Sequence, residues 1–253
     1  MATQTRDDSR FGRWAERDDG RDFPFYDGQP VTISGARWAL VVLACAVGFA
    51  VLSTVGSADQ WVELVPRVLF LAIPAAVFVW ASEGQWRSLF RPVHARDVGA
   101  MVVFWLLNLA VSAIAAFAVS GGSLGGLTEN SVTDDLGGAG QVVGFYVGTG
   151  IQLMGEEVFT ILPFLAVMAF LHSRGTSRRT SIVVAWLVTA VWFGAAHLPT
   201  YDWNLGQAII VIGAARLVLT LAFIRTKNLW VSFGAHVLND WVTFTLVLVA
   251  GTA

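Results

Sequence analysis

The sequence is short of charge and almost without cysteine. Only 13% of its 253 residues are charged, where a soluble domain carries roughly a quarter. The single cysteine, Cys45, excludes an intramolecular disulfide and a cysteine metal cluster. It lies inside an apolar block and reads as a small packing residue. Formal net charge is -2, so bulk electrostatics argue against a nucleic-acid partner. No repeat of fixed period is present, which argues against an inverted-repeat transporter. The zinc-binding pattern His-Glu-x-x-His is missing as well.

In place of charge there are long apolar blocks: 55% of the chain is hydrophobic. A bilayer core about 30 Å thick takes roughly 20 apolar residues per helical span. Seven blocks qualify, at about 36–56, 62–80, 98–119, 141–171, 180–198, 206–224 and 229–250. The expected fold is all-α, a polytopic transmembrane bundle of about seven spans, within a range of six to eight. The fourth block exceeds what a bilayer needs, so its helix tilts or extends past the membrane.

The linkers support seven. Segments 81–97, 172–179 and 225–228 carry Arg87, Arg91, Arg96, Arg174, Arg178, Arg179, Arg225 and Lys227. The segments between them, 57–61, 120–140 and 199–205, hold acidic residues and no Lys or Arg. Basic loops stay in the cytoplasm. Seven spans keep every basic loop on one side, with the N-terminus in the cytoplasm and the C-terminus outside the cell membrane.

The first 35 residues are polar and mix Arg6, Arg10, Arg13, Arg17 and Arg21 with Asp7, Asp8, Asp18, Asp19 and Asp22. A secretory signal has a short basic start and a short apolar core. This segment reads instead as a cytoplasmic tail, expected to be disordered. Residues 36–253 form the membrane domain. Segment 120–140, rich in Gly, Ser and Thr, reads as a flexible external loop. Gly144 and Gly148 form a small-xxx-small pair that permits close helix packing.

Ionisable residues inside apolar blocks are functional candidates, because each costs several kcal/mol (about 3 on insertion scales) unless paired or hydrated. Glu63 and Arg67 in the second block have i, i+4 spacing and read as a local ion pair. The rest fall in the last four blocks: Glu156 and Glu157, His197, Arg216, then His236, Asn239 and Asp240. Adjacent helical residues point about 100° apart. One glutamate therefore faces a site and the other is held by a partner. The plainer alternative is two glutamates satisfied by neighbouring helices. Phe193 and His197 share one helix face, as do His236 and Asp240. His197 could also be a helix-end residue. Glu and His around one water make a hydrolytic centre, and His with Asn or Asp can meet a developing oxyanion. The same Glu156, His197 and His236 are also a possible set of catalytic zinc ligands. The residue types leave metal-free and metal-assisted hydrolysis open.

Glu156-Glu157, Phe193-x-x-x-His197 and His236-x-x-x-Asp240 resemble, in order, the three motifs of the CPBP family of membrane proteases. These are the CAAX prenyl protease 2 and bacteriocin-processing (Abi-like) proteins. FGAAHLP at 193–199 and RTKNLWVSFGAHVLND at 225–240 are similar too. The resemblance covers about 140–245 and implies an intramembrane endopeptidase acting on a peptide or membrane-anchored protein. It implies that Glu156 and His197 activate water. It also implies that His236 and Asp240, or Asn239 in its place, stabilise the oxyanion. A divalent metal and a metal-free glutamate mechanism are both compatible with it. One position departs from the family pattern Glu-Glu-x-x-x-Arg: within EEVFTI the Arg position is Ile161. Glu157 then needs another cation, and Arg216 is the candidate; its alternative is to snorkel toward the cytoplasmic side. The Ile161 departure also leaves a non-catalytic scaffold or immunity-type protein as the alternative reading, and a transporter as a third.

Overall fold

The computed structural model describes residues 11–12, 15–17, 19–122, 127–128 and 136–251. The described residues are helical, without strands, and seven helices are long and apolar enough to cross a membrane. They are α1 Gly35–Thr54, α2 Leu64–Ala81, α3 Ala95–Val119, α4 Gly138–Ser173, α5 Arg178–Ala196, α6 Gly213–Thr226 and α7 Leu229–Gly251. A π-helical stretch, Gly206–Ile212, runs directly into α6. The fold is the seven-span bundle expected from the apolar blocks.

Local sequence explains the helix ends. Ser34 caps α1 by accepting from the Arg37 N–H at 3.3 Å, and Ser177 caps α5 by accepting from the Thr180 N–H at 3.2 Å. α5 stops at His197, two residues before Pro199, whose ring excludes a continuing helix. Asp202 and Trp203 then take left-handed backbone (φ 49° and 60°), which turns the chain back into the membrane. Lys227 ends α6 in the same conformation, at φ 46°.

α4 is the central column. Its 36 residues reach about 54 Å at 1.5 Å per residue, well beyond a bilayer core. It packs against α1, α2, α5 and α7, while α6 packs against α3, α5 and α7. Helices in lipid associate through close packing and polar contacts rather than through burial from water. Small residues and indoles supply both here. A Cβ on Gly155 of α4 would come within 2.7 Å of the Phe70 ring of α2. A Cβ on Gly194 of α5 would stand 2.5 Å from the Ala208 carbonyl oxygen, so α5 and the π-helical stretch meet backbone to backbone. Trp192 of α5 donates its indole N–H to the Phe159 carbonyl of α4 (3.2 Å), and Trp186 donates to Leu217 of α6 (2.8 Å). Gly144 and Gly148 have a packing role: Trp61 lies against the first and the Arg67 side chain against the second.

Two expectations change. Glu63 and Arg67 do not pair. Glu63 accepts from the Ser57 N–H, capping its own loop, while Arg67 turns toward the space left by Gly148. Its Nε and Nη1 are buried without a hydrogen-bond partner among the described residues. The second correction concerns the tail. From residue 15 to 34 its described part is packed rather than disordered. Phe23 and Phe25 are buried, and Phe23 contacts the rings of Phe164 and Phe223 at 5.6 and 6.0 Å. Glu16 accepts from Arg178 at 2.8 and 3.0 Å and from Lys227 at 3.1 Å. The tail's mixed charges are thus complementary to the basic loops, and its aromatic residues anchor it. Burial alone would raise the Glu16 carboxyl, but Arg178, Lys227 and the Phe11 N–H together hold it down to about 2. Residues 1–10, most of loop 120–140 and 252–253 lie outside the described residues. The expectations of tail disorder at 1–10 and of a flexible external loop fall there.

Arg91 donates to the Lys227 carbonyl at 2.9 Å, and Arg178 to Asp22. The basic loops and the tail therefore meet at one end of the bundle, as the alternation of linker charge requires.

Candidate functional site

Near the middle of α4 the two adjacent glutamates part company. Glu157 is fully buried. Arg216 of α6 grips it with two parallel bonds, Nη1 to Oε1 at 2.7 Å and Nη2 to Oε2 at 2.9 Å. His236 of α7 contributes Nδ1 at 2.9 Å, and the Ser232 hydroxyl donates to Oε2. Arg216 is itself fully buried, held by the Thr220 hydroxyl at 3.2 Å and stacked 5.1 Å from the Phe193 ring. An ion pair taken out of water needs this density of bonds to offset desolvation, which is several kcal/mol per ion. Arg216 does not snorkel. It supplies from α6 the cation that Ile161, itself fully buried among apolar residues, does not supply from α4.

Glu156 faces the other way, as the 100° offset requires. It lines a cavity of about 690 Å³ together with His197, His236, Asn239 and Asp240. Among the described residues its carboxylate accepts one direct hydrogen bond, and it is local: Gln152, one turn earlier, donates to Oε1 at 2.9 Å. Its Oε2 stands 3.7 Å from His236 Nε2, and that nitrogen is also 3.7 Å from Asp240 Oδ2. His236 therefore bridges the held glutamate and the cavity. With Glu157 ionised, Nδ1–H donates to it and Nε2 points at Glu156 and Asp240.

His197 sits at the end of α5. Its Nδ1 lies 2.9 Å from the Phe193 carbonyl, and the ring packs on Phe193 at 4.5 Å. Nδ1–H donates to that carbonyl, so Nε2 of the neutral ring is an acceptor. Phe193 is thus a scaffold for both His197 and Arg216. Asp240 accepts from Asn239 Nδ2 at 3.0 Å, and Asn239 accepts from Asn108 Nδ2 at 3.0 Å. The cavity continues past Thr200 and Tyr201 on one wall and Thr243 and Val247 on the other, away from the basic end. A second cavity of about 410 Å³ reaches Glu156 and His197 from the α1–α2 side between Phe49, Phe70 and Phe159.

All eight residues singled out in the sequence meet around these cavities or directly behind them. Three others went unseen: Gln152, Ser232 and Asn108. The signals existed. Gln152 precedes Glu156 by four residues and Ser232 precedes His236 by four, while Asn108 is a lone amide in a long apolar block. Among the described residues, no group of three His, Cys, Asp or Glu side chains stands in an arrangement that could hold a metal ion. Glu157 holds His236 Nδ1, which leaves Nε2 as the ring's free donor or ligand atom toward Glu156.

Fold and site together define a multi-pass helical membrane protein with a Glu/His centre inside its bundle. Residues 138–242, which contain that whole centre, match the family described as type II CAAX prenyl endopeptidase Rce1-like. The match spans the last four membrane-crossing helices, and that segment is similar to the family's domain. No curated protein and no solved structure matches the chain significantly.

Proposed function

We propose that the chain is an intramembrane endopeptidase in which Glu156 and His197 activate water for attack on a peptide carbonyl. The observation that carries this is the division of the glutamate pair: Glu157 is consumed by Arg216, His236 and Ser232, and Glu156 is left facing a cavity with both histidines. Glu156 takes the water proton, assisted by His197 Nε2, and the hydroxide oxygen bonds to the carbonyl carbon. Negative charge moves to the carbonyl oxygen. The His236 ring, doubly protonated between Glu157 and Asp240, presents Nε2–H, and the Asn239 amide stands beside Asp240, so both can donate to that charge. As the C–N bond breaks, Glu156 returns its proton to the leaving amine. Asp240 acts on His236 and Asn239 as a positioning group.

The substrate is a peptide or a membrane-anchored protein, since the family acts on membrane-associated substrates and the site lies at bilayer depth. The basic end, where the tail and the Arg-rich loops meet, is assigned to the cytoplasm by the positive-inside rule. The C-terminus then lies outside. The non-catalytic reading rested on Ile161, and Arg216 supplies the charge that position lacks.

The test is reconstitution of the purified protein in liposomes with membrane-anchored peptides, with products read by mass spectrometry. Wild type should cleave and His197→Ala should not; cleavage by both would end the proposal. Activity should survive chelation. A loss that zinc restores would replace the metal-free chemistry with a metal-assisted one.

A further inference from the structure

The basic end holds a second cavity, about 830 Å³, with no part in the site above. It lies between the N-terminal halves of α3, the end of α6 and the tail. Three arginines line it: Arg17, Arg96 and Arg225. Its carboxylates are already matched. Asp97 accepts from Arg17 Nη1 at 2.6 Å and from the His94 N–H at 2.9 Å. Asp19 is paired with Arg17 at 3.1 Å and Arg21 at 3.5 Å, and Glu16 with Arg178 and Lys227. Positive charge is what remains. Arg17 Nη2 is buried with no hydrogen-bond partner among the described residues. The Arg96 and Arg225 guanidinium groups make no hydrogen bond or ion pair among the described residues. Arg96 also sits in the first turn of α3, where the helix dipole already disfavours a cation.

Below these cations the wall becomes apolar. Gly99, Val103 and Leu107 follow at intervals of four, a single stripe on α3. It descends about 12 Å into the membrane-spanning part of the helix. Val103 is 61% exposed and a Cβ on Gly99 would meet nothing within 4 Å, so the stripe is open. We propose that this cavity binds an anionic phospholipid, its phosphate held by Arg17, Arg96 and Arg225 and one acyl chain laid along the α3 stripe. Guanidinium groups suit this chemistry because their fork matches phosphate oxygens. A soluble anion would use the cations and leave the apolar stripe uncovered. The lipid would also tie the tail to α3 and α6, since Arg17 belongs to the tail. The proposal does not depend on the protease reading.

The experiment titrates the full chain in detergent with phosphatidylglycerol, phosphatidylcholine or inorganic phosphate and counts bound lipid by native mass spectrometry. Phosphatidylglycerol should be retained roughly tenfold better than phosphatidylcholine. The double variant R96A/R225A should abolish that preference, a loss expected from removing two cations at an anionic surface. Gly99→Leu, which leaves every charge in place and fills the stripe, should weaken phosphatidylglycerol retention in a chain of unchanged melting temperature; unchanged retention in that variant overturns the acyl-chain assignment. Equal retention of the two lipids by wild type, or a preference unaltered in R96A/R225A, overturns the proposal. Displacement of the lipid by millimolar phosphate would assign the cations to a soluble anion instead.

Discussion

Two carboxylates anchor two regions of this molecule in the same way, and their solvents differ. Glu16 at the basic end is ringed by Arg178, Lys227 and a backbone N–H. Glu157 near the middle of α4 is ringed by Arg216, His236 and Ser232. Near the aqueous edge a lost partner can be replaced by water. Glu157 is fully buried, on the side of α4 turned from the cavity that Glu156 lines, and an abandoned charge there has no ready substitute. The ring around Glu16 therefore fastens a segment, whereas the ring around Glu157 is a condition for assembling α4, α6 and α7.

That difference orders the expected effects. Arg216→Ala strands Glu157 and should lower stability by about 3–5 kcal/mol, read as a large drop in melting temperature in detergent. A stability equal to wild type would mean that Glu157 is neutral or hydrated, and the comparison would break. Ser232→Ala removes one of several donors to the same carboxylate and should lose about 1–3 kcal/mol. Glu16→Gln weakens the bonds from Arg178 and Lys227 to a buried carboxylate and should lose about 1–3 kcal/mol. Its effect should appear as faster hydrogen exchange in residues 19–34, with the bundle unchanged. If exchange accelerated equally in α4, the tail would be part of the core and not a fastened segment.

The pH dependence of the tail sharpens the same contrast. The Glu16 carboxyl is depressed from 4.5 to about 2. A depressed acid contributes its stability above its unfolded value and loses it as pH falls through the folded value. Tail protection should be complete above about pH 4.5 and decline toward pH 2. In Glu16→Gln that acid-dependent step should vanish.

Much of this was legible in the chain because lipid constrains sequence so strongly. Block lengths and alternating loop charge specified seven helices, and the rarity of ionisable groups in apolar blocks pointed to Glu156, Glu157, His197, Arg216, His236 and Asp240. The offset of neighbouring helical residues separated the glutamates in advance. The misses share one cause. A polar residue near water has many partners within reach, so spacing does not decide among them. Glu63 and Arg67 have ideal pair spacing, yet Ser57 and the space over Gly148 draw them apart. The tail looked disordered because its charges are mixed, and their partners, Arg178 and Lys227, lie more than 150 residues away. Gln152 and Ser232 were overlooked because uncharged polar residues are common in spans and only their register with Glu156 and His236 marks them.

The central claim is that adjacent glutamates have divided roles, chemistry for Glu156 and assembly for Glu157. Glu156→Gln and Glu157→Gln, measured side by side for peptide cleavage and for melting temperature, test it most directly. Glu156→Gln should abolish cleavage and leave the melting temperature within a degree or two, about the shift of a few tenths of a kcal/mol. Glu157→Gln should lower the melting temperature strongly. Cleavage retained in Glu156→Gln, or a stable Glu157→Gln, would contradict the account.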